Sequence, residues 1–454
     1  MKNINNISNY YFIGIGGIGM SALARYFVRL GKNVAGYDKT PSAITQALES
    51  VGVAIHFEDA LSAIPKAFLD KENTLVIYTP AIPKSHKEFN YLLDNNYDIL
   101  KRSEVLGALT KDTFTLAVAG THGKTTTTAI LAYLLKESGV GVTAFLGGIS
   151  ENYNSNLVLE GTDVIVAEAD EFDRSFLRLY PDIAAVTSMD ADHLDIYEKA
   201  DALESSFKDF ASKVSKTILV RNGLSLEGLT FGIEDDSDYS AQAIKIQNGT
   251  YVFDLKTPET LVKDLALTLP GRHNLLNAIT AFAMGQLYGT PTDTLAKALP
   301  GFKGVQRRFS YKIKSEQLVY IDDYAHHPTE INALHQAVRE MHPKKKILAI
   351  FQPHLYSRTR DFANDFGQSL SQFDELLLLD IYPARELPIS GVTSEWLLSL
   401  VDLDAKMIVQ KSKLIEKIIA SEAQVIVTIG AGDIGEEVAG ITEALQKKIG
   451  SIVQ

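Results

Sequence analysis

The feature that most constrains this chain is a repeated alternation between short apolar runs rich in β-formers and longer stretches with helical periodicity. Strands are predicted at Tyr10–Ile15, Asn33–Tyr37, Thr74–Tyr78, Thr115–Ala119, Asp163–Ala167, Ile183–Thr187, Thr217–Val220, Leu318–Asp322, Ile347–Phe351, Glu375–Leu379 and Val425–Ile429. Helices are predicted at Met20–Leu30, His86–Asn95, Lys124–Ser138 and Leu275–Tyr288. This alternation is typical of α/β folds, in which helices connect parallel strands. The region from about Thr230 to Leu269 is richer in β-formers and turns.

The first predicted strand runs into a glycine-rich loop, Gly14-Ile-Gly16-Gly17-Ile-Gly19, which opens a helix. Its first, second and fourth glycines match G-x-G-x-x-G, a turn that lets a diphosphate approach the N–H groups at the helix start. Asp38 ends the next strand, where a carboxylate can bind a nucleotide ribose. We predict that this loop binds a nucleotide diphosphate; the alternative is a purely structural tight turn.

A second glycine loop, Gly120-Thr121-His122-Gly123-Lys124-Thr125-Thr126, also lies between a strand and a helix. Gly-Lys-Thr at a helix start is the phosphate-binding end of a P-loop, where lysine neutralises phosphates and the threonine hydroxyl ligates Mg²⁺. Val118 stands where a strict P-loop has glycine, so Gly120 is expected to supply the turn. The alternative is a helix cap without a ligand. A dehydrogenase needs only the first loop, whereas an enzyme that spends ATP on a nucleotide-linked substrate needs both.

The length of 454 residues suggests about three domains. Boundaries near residues 101–112 and 303–310 would give domains 1–107, 108–308 and 309–454. We predict an α/β fold throughout. The N-terminal domain is expected to be Rossmann-like, the central domain a P-loop-like mononucleotide-binding domain of mixed α/β structure, and the C-terminal domain Rossmann-like.

Two acidic clusters follow predicted strands of the central domain. They comprise Glu168, Asp170, Glu171 and Asp173, and then Asp190, Asp192, His193 and Asp195. Carboxylates packed so closely repel unless they share a cation or are solvated. At strand ends that face a P-loop they predict a Mg²⁺ site, to which His193 would add a metal ligand or a phosphate contact. Solvated acidic loops are the alternative.

Further polar side chains are candidates for ligand binding. Asn274 and Asn277 lie one helical turn apart and suit the edge of a base, although Asn274 could instead be an N-cap. In the third domain the candidates are Arg308, Asp323, His326, His327, His354, Arg358 and Arg360. Most of these follow its first two strands, where open α/β sheets bind ligands, and the arginines can clamp a carboxylate or a phosphate. Ordinary surface histidines are the alternative for His326 and His327, and the turn Gly430–Gly435 is interpreted as structural.

The composition excludes several classes of protein. The chain has 44 basic and 56 acidic residues, a net charge of −12, and no cysteine. It therefore has no disulfide, no zinc–thiolate site and no cysteine nucleophile, and it lacks the basic field of a nucleic-acid-binding protein. No apolar stretch is long enough to span a membrane, and the N-terminus does not match a signal peptide. We expect a cytoplasmic protein that binds no nucleic acid.

The motifs, taken in order, resemble those of the Mur ligases of peptidoglycan synthesis. The matching segments are GIGGIGMS, AGTHGKTTTT, EADEFD, DADHLD, GRHNLLN, VQRRF, DDYAHHPTE, FQPHLYSRTRD and GAGDIG. The resemblance implies a three-domain, ATP-dependent amide ligase that joins L-alanine to the lactyl carboxylate of UDP-N-acetylmuramate through an acyl phosphate. It implies ATP and two Mg²⁺ ions as cofactors, UDP binding in the first domain, ATP binding in the second, and closure by the third. The expected state is a monomer or a homodimer.

The resemblance also implies roles for individual residues. Gly120–Thr126 would wrap the triphosphate, with Lys124 on its terminal phosphates. Thr125 would ligate one Mg²⁺, and Glu168 and His193 a second. Asn274 and Asn277 would contact adenine, and Arg308 and Asp323 the nucleotide after closure. His326, His354 and Arg358 would line the reacting end, and the catalytic set would be Lys124, His193, His326 and Arg358. Gly14, Gly16, Gly17, Gly19 and Asp38, with His354 and Arg358, would bind the other substrates.

Three positions depart from the family pattern. Ala325 stands where glycine is common, Leu355 where arginine is common, and Ser188 where asparagine is common. Three alternatives to the main interpretation remain. One is a relative that adds a murein tripeptide instead of alanine. The second is an NAD-dependent oxidoreductase, and the third is a P-loop regulatory module without ligase activity.

Overall fold

The computed structural model describes residue 4 and residues 7–190, 200–384 and 386–452. The chain divides into two compact units. The first comprises Met1–Lys245, Val252–Leu267 and Leu276–Lys303, and the second comprises Ile246–Tyr251, Thr268–Leu275 and Gly304–Gln454. In the parts of the chain that are described, no helix is both long and apolar enough to cross a bilayer.

The first unit begins with a five-stranded, all-parallel sheet. Its strands are β1 (Asn9–Ile13), β2 (Asn33–Tyr37), β3 (Ala54–His56), β4 (Thr74–Tyr78) and β5 (Asp98–Lys101), and its helices are Ile18–Arg29, Ala43–Glu49, Lys87–Asp94 and Arg102–Thr110. The spatial order β3-β2-β1-β4-β5 changes direction at β1. The carboxyl end of β1 is therefore the switch point at which such sheets bind ligands. All residues of β1 are buried, as expected for a parallel sheet covered on both faces.

A ten-stranded sheet follows, in the order β15-β14-β13-β12-β11-β10-β6-β9-β7-β8. Its strands are β6 (Thr115–Ala119), β7 (Val142–Ser150), β8 (Ser155–Leu159), β9 (Val164–Ala169), β10 (Ile183–Val186), β11 (Thr217–Arg221), β12 (Leu229–Ile233), β13 (Tyr239–Gln247), β14 (Thr250–Lys256) and β15 (Leu261–Leu267). The helices of this region are Lys124–Glu137, Ala200–Ala211, Arg272–Tyr288 and Thr292–Ala298. Strands β12–β15 confirm the predicted β-rich region, and β6, which leads into the second glycine loop, lies near the centre of the sheet.

The second unit contains a six-stranded sheet in the order β16-β17-β21-β18-β19-β20. Its strands are β16 (Ser310–Lys314), β17 (Val319–Asp323), β18 (Ile347–Phe351), β19 (Glu375–Leu378), β20 (Lys406–Ile408) and β21 (Val425–Ile429), and its helices are Pro328–Met341, Tyr356–Asp361, Ala363–Leu370, Ser394–Ser399, Lys411–Ala420 and Ile434–Ile452. Only β16 is antiparallel to its neighbour. Separate apolar clusters cover the two faces of the sheet, so its central strands β18 and β21 are buried at every residue.

The structure differs from the predicted elements mainly at strand ends and sheet edges. Strand β1 ends at Ile13 because the next two N–H groups, those of Gly14 and Ile15, both donate to Tyr37 O. Strand β9 extends two residues further than predicted, so that Glu168 lies within the strand, opposite Val118 of β6. The edge strands β3, β5, β8, β16 and β20 were not predicted, because they have too few residues to show a periodic pattern. The nine-residue strand β7 was not predicted either, because Gly147 and Gly148 interrupt its run of β-formers.

A buried polar cluster lies in the first sheet. Tyr11 donates to Glu88 Oε2 at 2.6 Å, and the backbone N–H of Ala60 donates to Glu88 Oε1 at 3.2 Å. Glu88 is fully buried. Burial raises its pKa from 4.5 to about 7, although the two hydrogen bonds oppose the shift. His56 Nε2 lies 3.5 Å from the same carboxyl group.

The Glu88 carboxyl group is expected to make the stability of the protein depend on pH. Between pH 4.5 and about 7 the folded state retains a proton that the unfolded chain has lost, so the free energy of unfolding falls as the pH rises through this window. Glu88→Gln is expected to flatten the fall in Tm between pH 5 and pH 8, measured by thermal melts, whereas Glu49→Gln, at an exposed position, keeps the wild-type slope. An unchanged slope in Glu88→Gln would contradict the assignment.

Candidate active site

The second glycine loop joins β6 to the helix Lys124–Glu137 in a conformation that requires glycine. Gly120 has a φ of +133° and Gly123 a φ of +84°, values that other residues rarely adopt. A Cβ atom at Gly120 would lie 2.1 Å from Thr187 Oγ1, and one at Gly123 would lie 2.5 Å from Asn277 Oδ1. The loop is therefore closely packed, and it leads directly into the N–H groups of the helix start, which are donors suited to binding an anion.

The residues that follow β10 hold this loop in place. The backbone N–H of Thr121 donates to Ser188 O at 3.2 Å, and that of His122 donates to Ser188 Oγ at 2.7 Å. His122 Nε2 lies 3.4 Å from Asp190 Oδ2. Ser188, which departs from the family pattern, thus supports the loop through its hydroxyl group. The predicted ligand His193 lies outside the described residues.

Lys124 is the most strongly paired charge of the loop. Its Nζ donates to Gly120 O at 2.6 Å and to the two carboxylate oxygens of Glu171 at 2.9 and 2.7 Å. Burial acts to lower the pKa of Lys124, but the charges of Glu171, Asp170 and Glu168 outweigh it and raise that pKa. The lysine is therefore cationic and points at the loop. Glu171 belongs to the acidic cluster that predicted a Mg²⁺ site, but its pairing with Lys124 was not predicted.

Thr125 and Glu168 were predicted as ligands of different Mg²⁺ ions, and the structure brings them into contact. Thr125 Oγ1 donates to Glu168 Oε1 at 2.9 Å. The carboxyl group of Glu168 lies against Gly147 in β7, where a Cβ atom would be 1.8 Å from Oε2. Gly147 was not predicted, although the Gly-Gly pair in β7 was a signal of close approach. Thr126 is buried in the first turn of the same helix.

The two asparagines have different partners. Asn277 Oδ1 accepts a hydrogen bond from Thr127 at 3.2 Å, which places this amide beside the phosphate loop. Asn274 Nδ2 donates to Pro270 O at 2.7 Å. The helix begins at Arg272, so Asn274 lies in the first turn and the alternative of an N-cap role is wrong.

The first glycine loop is built around Asp38. The backbone N–H of Gly16 donates to Asp38 Oδ2 at 2.7 Å. Gly14 has a φ of +88°, and Gly17 is the N-cap of the helix Ile18–Arg29. Asp38 thus holds the loop itself, at the switch point of the sheet. Its proposed contact with ribose remains a prediction.

Arg102 also lies at this loop and was not predicted. A Cβ atom at Gly19 would be 2.9 Å from Arg102 Nη1. Arg102 is the first residue of the helix that follows β5, and β5 is the edge strand two places from β1 in the sheet. It places a guanidinium group beside the first turn of the helix at which the diphosphate is predicted to bind.

In the second unit, Asp323 and Arg308 lie near one another but bind different groups. Asp323 accepts backbone hydrogen bonds from Phe309 N at 2.6 Å and Ala325 N at 2.7 Å. Burial raises the pKa of Asp323 to about 6, and Arg308 opposes that rise. Arg308 Nη1 lies 3.6 Å from Glu330 Oε1. Asp323 therefore stabilises the turn after β17, and the Glu330 carboxylate is an additional member of this cluster that was not predicted.

The predicted residues of the reacting end form one cluster within the second unit. The ring centroids of His326 and His354 are 6.1 Å apart, and Arg358 Nη1 lies 3.4 Å from His354 Nδ1. His326 Nδ1 lies 2.9 Å from Tyr324 O, so this nitrogen is assigned the proton and Nε2 the lone pair. Burial lowers the pKa of His326, which keeps the ring neutral near pH 7. His327 instead caps the helix Pro328–Met341 and accepts from Thr329 N at 3.3 Å.

The two departures from the family pattern in this unit differ in their structural effect. Ala325 is buried and its φ is not positive, so the turn does not require glycine there. Leu355 is the N-cap of the helix Tyr356–Asp361 and has a φ of +73°. This conformation is strained for leucine and is held by a hydrogen bond from Leu355 N to Tyr382 O at 2.9 Å.

Known proteins resemble the chain along nearly its whole length. The family model described as Mur ligase family, catalytic domain, matches residues 9–113, the Mur ligase middle domain matches 118–285, and the Mur ligase, glutamate ligase domain, matches 307–432. The UDP-N-acetylmuramate–L-alanine ligase of Flavobacterium psychrophilum is 63% identical over 448 residues, which cover 98% of this chain and 100% of that protein. The chain belongs to the Mur ligase family.

Solved structures of Mur ligases share the fold. The UDP-N-acetylmuramate–alanine ligase of Thermotoga maritima matches with a TM-score of 0.83 and 28% identity, covering 97% of this chain and 99% of that one. A murein peptide ligase of Psychrobacter arcticus matches with a TM-score of 0.71 and 22% identity, covering 96% and 98%. The predicted three-domain α/β fold, with Rossmann-like terminal domains and a P-loop-like centre, is confirmed.

The residues of this Mur ligase fit a magnesium nucleotide at the second loop. Thr125 and Glu168 present adjacent oxygen atoms, the donor type that Mg²⁺ prefers. The charges of three carboxylates, those of Glu171, Asp170 and Glu168, act on Lys124, and a divalent ion would offset part of this negative charge. Within the described ranges no group of three or more acidic or histidine side chains could hold a metal alone.

Proposed function

We propose that this chain is an ATP-dependent ligase that joins L-alanine to the lactyl carboxylate of UDP-N-acetylmuramate. The products are UDP-N-acetylmuramoyl-L-alanine, ADP and phosphate, so the enzyme serves peptidoglycan precursor synthesis. The observation that carries this proposal is the 63% identity over 98% of the chain to a relative named for that reaction. The proposed domains are 1–107 for the UDP substrate, 108–308 for ATP and Mg²⁺, and 309–454 for closure.

The chemistry requires phosphate activation. A carboxylate is a poor electrophile, so ATP first converts it to an acyl phosphate, which the amino group of alanine then attacks to expel phosphate. We propose that Gly120–Thr126 and Asn277 hold ATP, with Lys124 on the terminal phosphates. Bound Mg²⁺, two ions in this proposal, would offset the charge of the triphosphate. Thr125, Glu168 and His193 would hold these ions.

The second unit supplies the residues proposed to act on the amino acid. Arg358 and His354 would bind the alanine carboxylate or the phosphate group transferred from ATP. A guanidinium group binds such anions through two parallel hydrogen bonds. His326 Nε2 would accept the proton that the attacking amine loses. Arg308, Asp323 and Asn274 would contact the nucleotide. Catalysis then consists of positioning and charge neutralisation, and no protein nucleophile is needed.

The first glycine loop is proposed to bind the UDP diphosphate. Gly14, Gly16, Gly17 and Gly19 would contact the phosphates through backbone N–H groups, Asp38 would orient the ribose, and Arg102 would add positive charge. ATP and a UDP-linked substrate are cytoplasmic metabolites, so we also propose a cytoplasmic location. We also propose that the protein is a monomer or a homodimer.

Phosphate release tests the proposal directly. The full chain is assayed with ATP, Mg²⁺ and UDP-N-acetylmuramate, and L-alanine is compared with glycine, L-serine and murein tripeptide. We expect release to require the UDP substrate and to be fastest with L-alanine. Faster release with tripeptide would establish the tripeptide-adding alternative. ATP hydrolysis that needs neither substrate would favour a P-loop regulatory module, and a nicotinamide absorbance change would favour an oxidoreductase.

A further inference from the structure

The ammonium group of Lys124 is fully engaged by the protein. It donates to Gly120 O at 2.6 Å and to both carboxylate oxygens of Glu171 at 2.9 and 2.7 Å. An ammonium group has three N–H donors, so these contacts use all of them. A phosphate oxygen can therefore receive a hydrogen bond from Lys124 only if one of the present bonds is given up.

Glu171 is held firmly in its position. Its side chain is fully buried, and Glu171 is the N-cap of the short 3-10 helical segment Phe172–Arg178. Asp173 and Arg174 form a kink within this segment, and both have a φ of +53°, a conformation that persists only where the surrounding structure enforces it. The ring of Phe176 is buried and stacks on Phe210 with centroids 5.1 Å apart. The carboxylate is thus presented to the lysine by an anchored segment.

Two contacts, one with the last residue of β5 and one with the helix that follows it, also anchor this segment. Lys101 Nζ donates to Asp173 Oδ2 at 3.0 Å. A Cβ atom at Gly107 would lie 2.3 Å from Arg178 O, so the helix Arg102–Thr110 packs directly on the backbone of the segment. These contacts explain how the strained residues of the segment are maintained, and they restrict the movement of Glu171.

We propose that Glu171 is a positioning residue, which holds the Lys124 ammonium group at the glycine loop and exchanges one of its two contacts for a phosphate oxygen when nucleotide binds. This inference rests on the proposed function, because it assumes that the loop binds a nucleoside di- or triphosphate. The second carboxylate oxygen keeps its contact, so neither buried charge loses its partner during the exchange.

The exchange has opposite effects on binding and on chemistry. A carboxylate competes with phosphate for the same cation, so Glu171 lowers the affinity for nucleotide. It also keeps the lysine directed at the loop, which favours the reaction once the nucleotide is bound. A glutamine side chain has the same shape but no charge, so it competes less with phosphate for Lys124 and directs the lysine less strongly at the loop. Glu171→Gln is therefore expected to bind nucleotide more tightly and to turn over more slowly.

The test is calorimetric titration of the full chain with ADP in the absence of Mg²⁺. Glu171→Gln is expected to lower the Kd for ADP about tenfold. Glu171→Asp retains the charge but shortens the side chain by about 1.5 Å, and it is expected to lower the Kd severalfold through loss of contact alone. Glu160→Gln, which removes the Lys136–Glu160 pair of 2.7 Å at the other end of the same helix, is the matched control and should leave the Kd unchanged.

Steady-state kinetics supply the second measurement. In Glu171→Gln we expect kcat to fall at least tenfold while the KM for ATP falls. Unchanged or weaker ADP binding in either folded variant overturns the inference. If that variant also melts at a lower temperature than the wild type, the Lys124–Glu171 ion pair only stabilises the fold. If Glu171→Gln does not fold, Glu171→Asp decides the matter. Failure of the wild-type chain to bind ADP would overturn the proposed function instead.

Discussion

The Lys124→Ala variant is expected to lose turnover by a factor of at least about 10²–10³, because the main cationic contact to the transferred phosphate is removed. The loss of one preorganised transition-state contact costs about 3–4 kcal/mol. The variant is also expected to melt at a lower temperature. Glu171 is fully buried against the lysine, and removing one partner of a buried ion pair typically costs about 3–5 kcal/mol.

The measurement for Lys124→Ala is phosphate release with ATP, UDP-N-acetylmuramate and L-alanine, at a temperature where melts show the variant to be folded. Lys136→Ala is the matched control, because Lys136 lies in the same helix and pairs with the partly exposed Glu160. It should keep its activity within about twofold, since exposed pairs contribute about 1 kcal/mol or less to stability. Near-normal phosphate release by Lys124→Ala would refute the role of the second glycine loop.

The Glu168→Gln variant is expected to lose activity by about 10²-fold and to need at least about tenfold more Mg²⁺ for half-maximal rate. An amide keeps the hydrogen bond from Thr125 but lacks the negative charge that binds a hard cation. The measurement is phosphate release over a range of Mg²⁺ concentrations. Glu137→Gln, at the exposed end of the helix that begins with Lys124, is the control and should show the wild-type dependence.

The variant Gly147→Ala tests the Glu168 carboxylate by displacing it, without changing its charge. A Cβ atom at Gly147 would lie 1.8 Å from Glu168 Oε2, so Gly147→Ala must displace that group. We expect a similar rise in the Mg²⁺ requirement. Gly440→Ala, where the nearest atom would be 3.6 Å away, tests for effects of the methyl group alone. An unaltered Mg²⁺ dependence in both Glu168→Gln and Gly147→Ala would remove Glu168 from the metal site.

Both glycine loops could be predicted from the sequence because their geometry is local. Glycines at fixed spacing between a strand and a helix impose a backbone turn, and the structure gives Gly14, Gly120 and Gly123 positive φ values. The helices that follow these loops begin at Ile18 and Lys124, close to the predicted positions. The central strands were also predictable, because a strand buried on both faces is apolar at every position.

Other parts of the site depend on residues that are distant in the sequence. Glu171 contacts Lys124, Gly147 lies against Glu168, and Arg102 lies against Gly19. No local pattern connects the members of these pairs. The acidic cluster indicated that charge was needed near the loop, but only the packing shows that Glu171 faces the lysine while Glu168 faces the threonine.

The sequence by itself determined the α/β class, the two glycine loops and the resemblance to the Mur ligases, because each rests on backbone geometry or on motifs within a few residues. Only the tertiary structure decided which carboxylate pairs with Lys124, which atom of His326 keeps the lone pair, and that Asp38 accepts a hydrogen bond from the first glycine loop. These properties arise from sheet order and burial, which bring distant side chains together and set their charge states. The pairing of Lys124 with Glu171 across the ends of β6 and β9 is the clearest example.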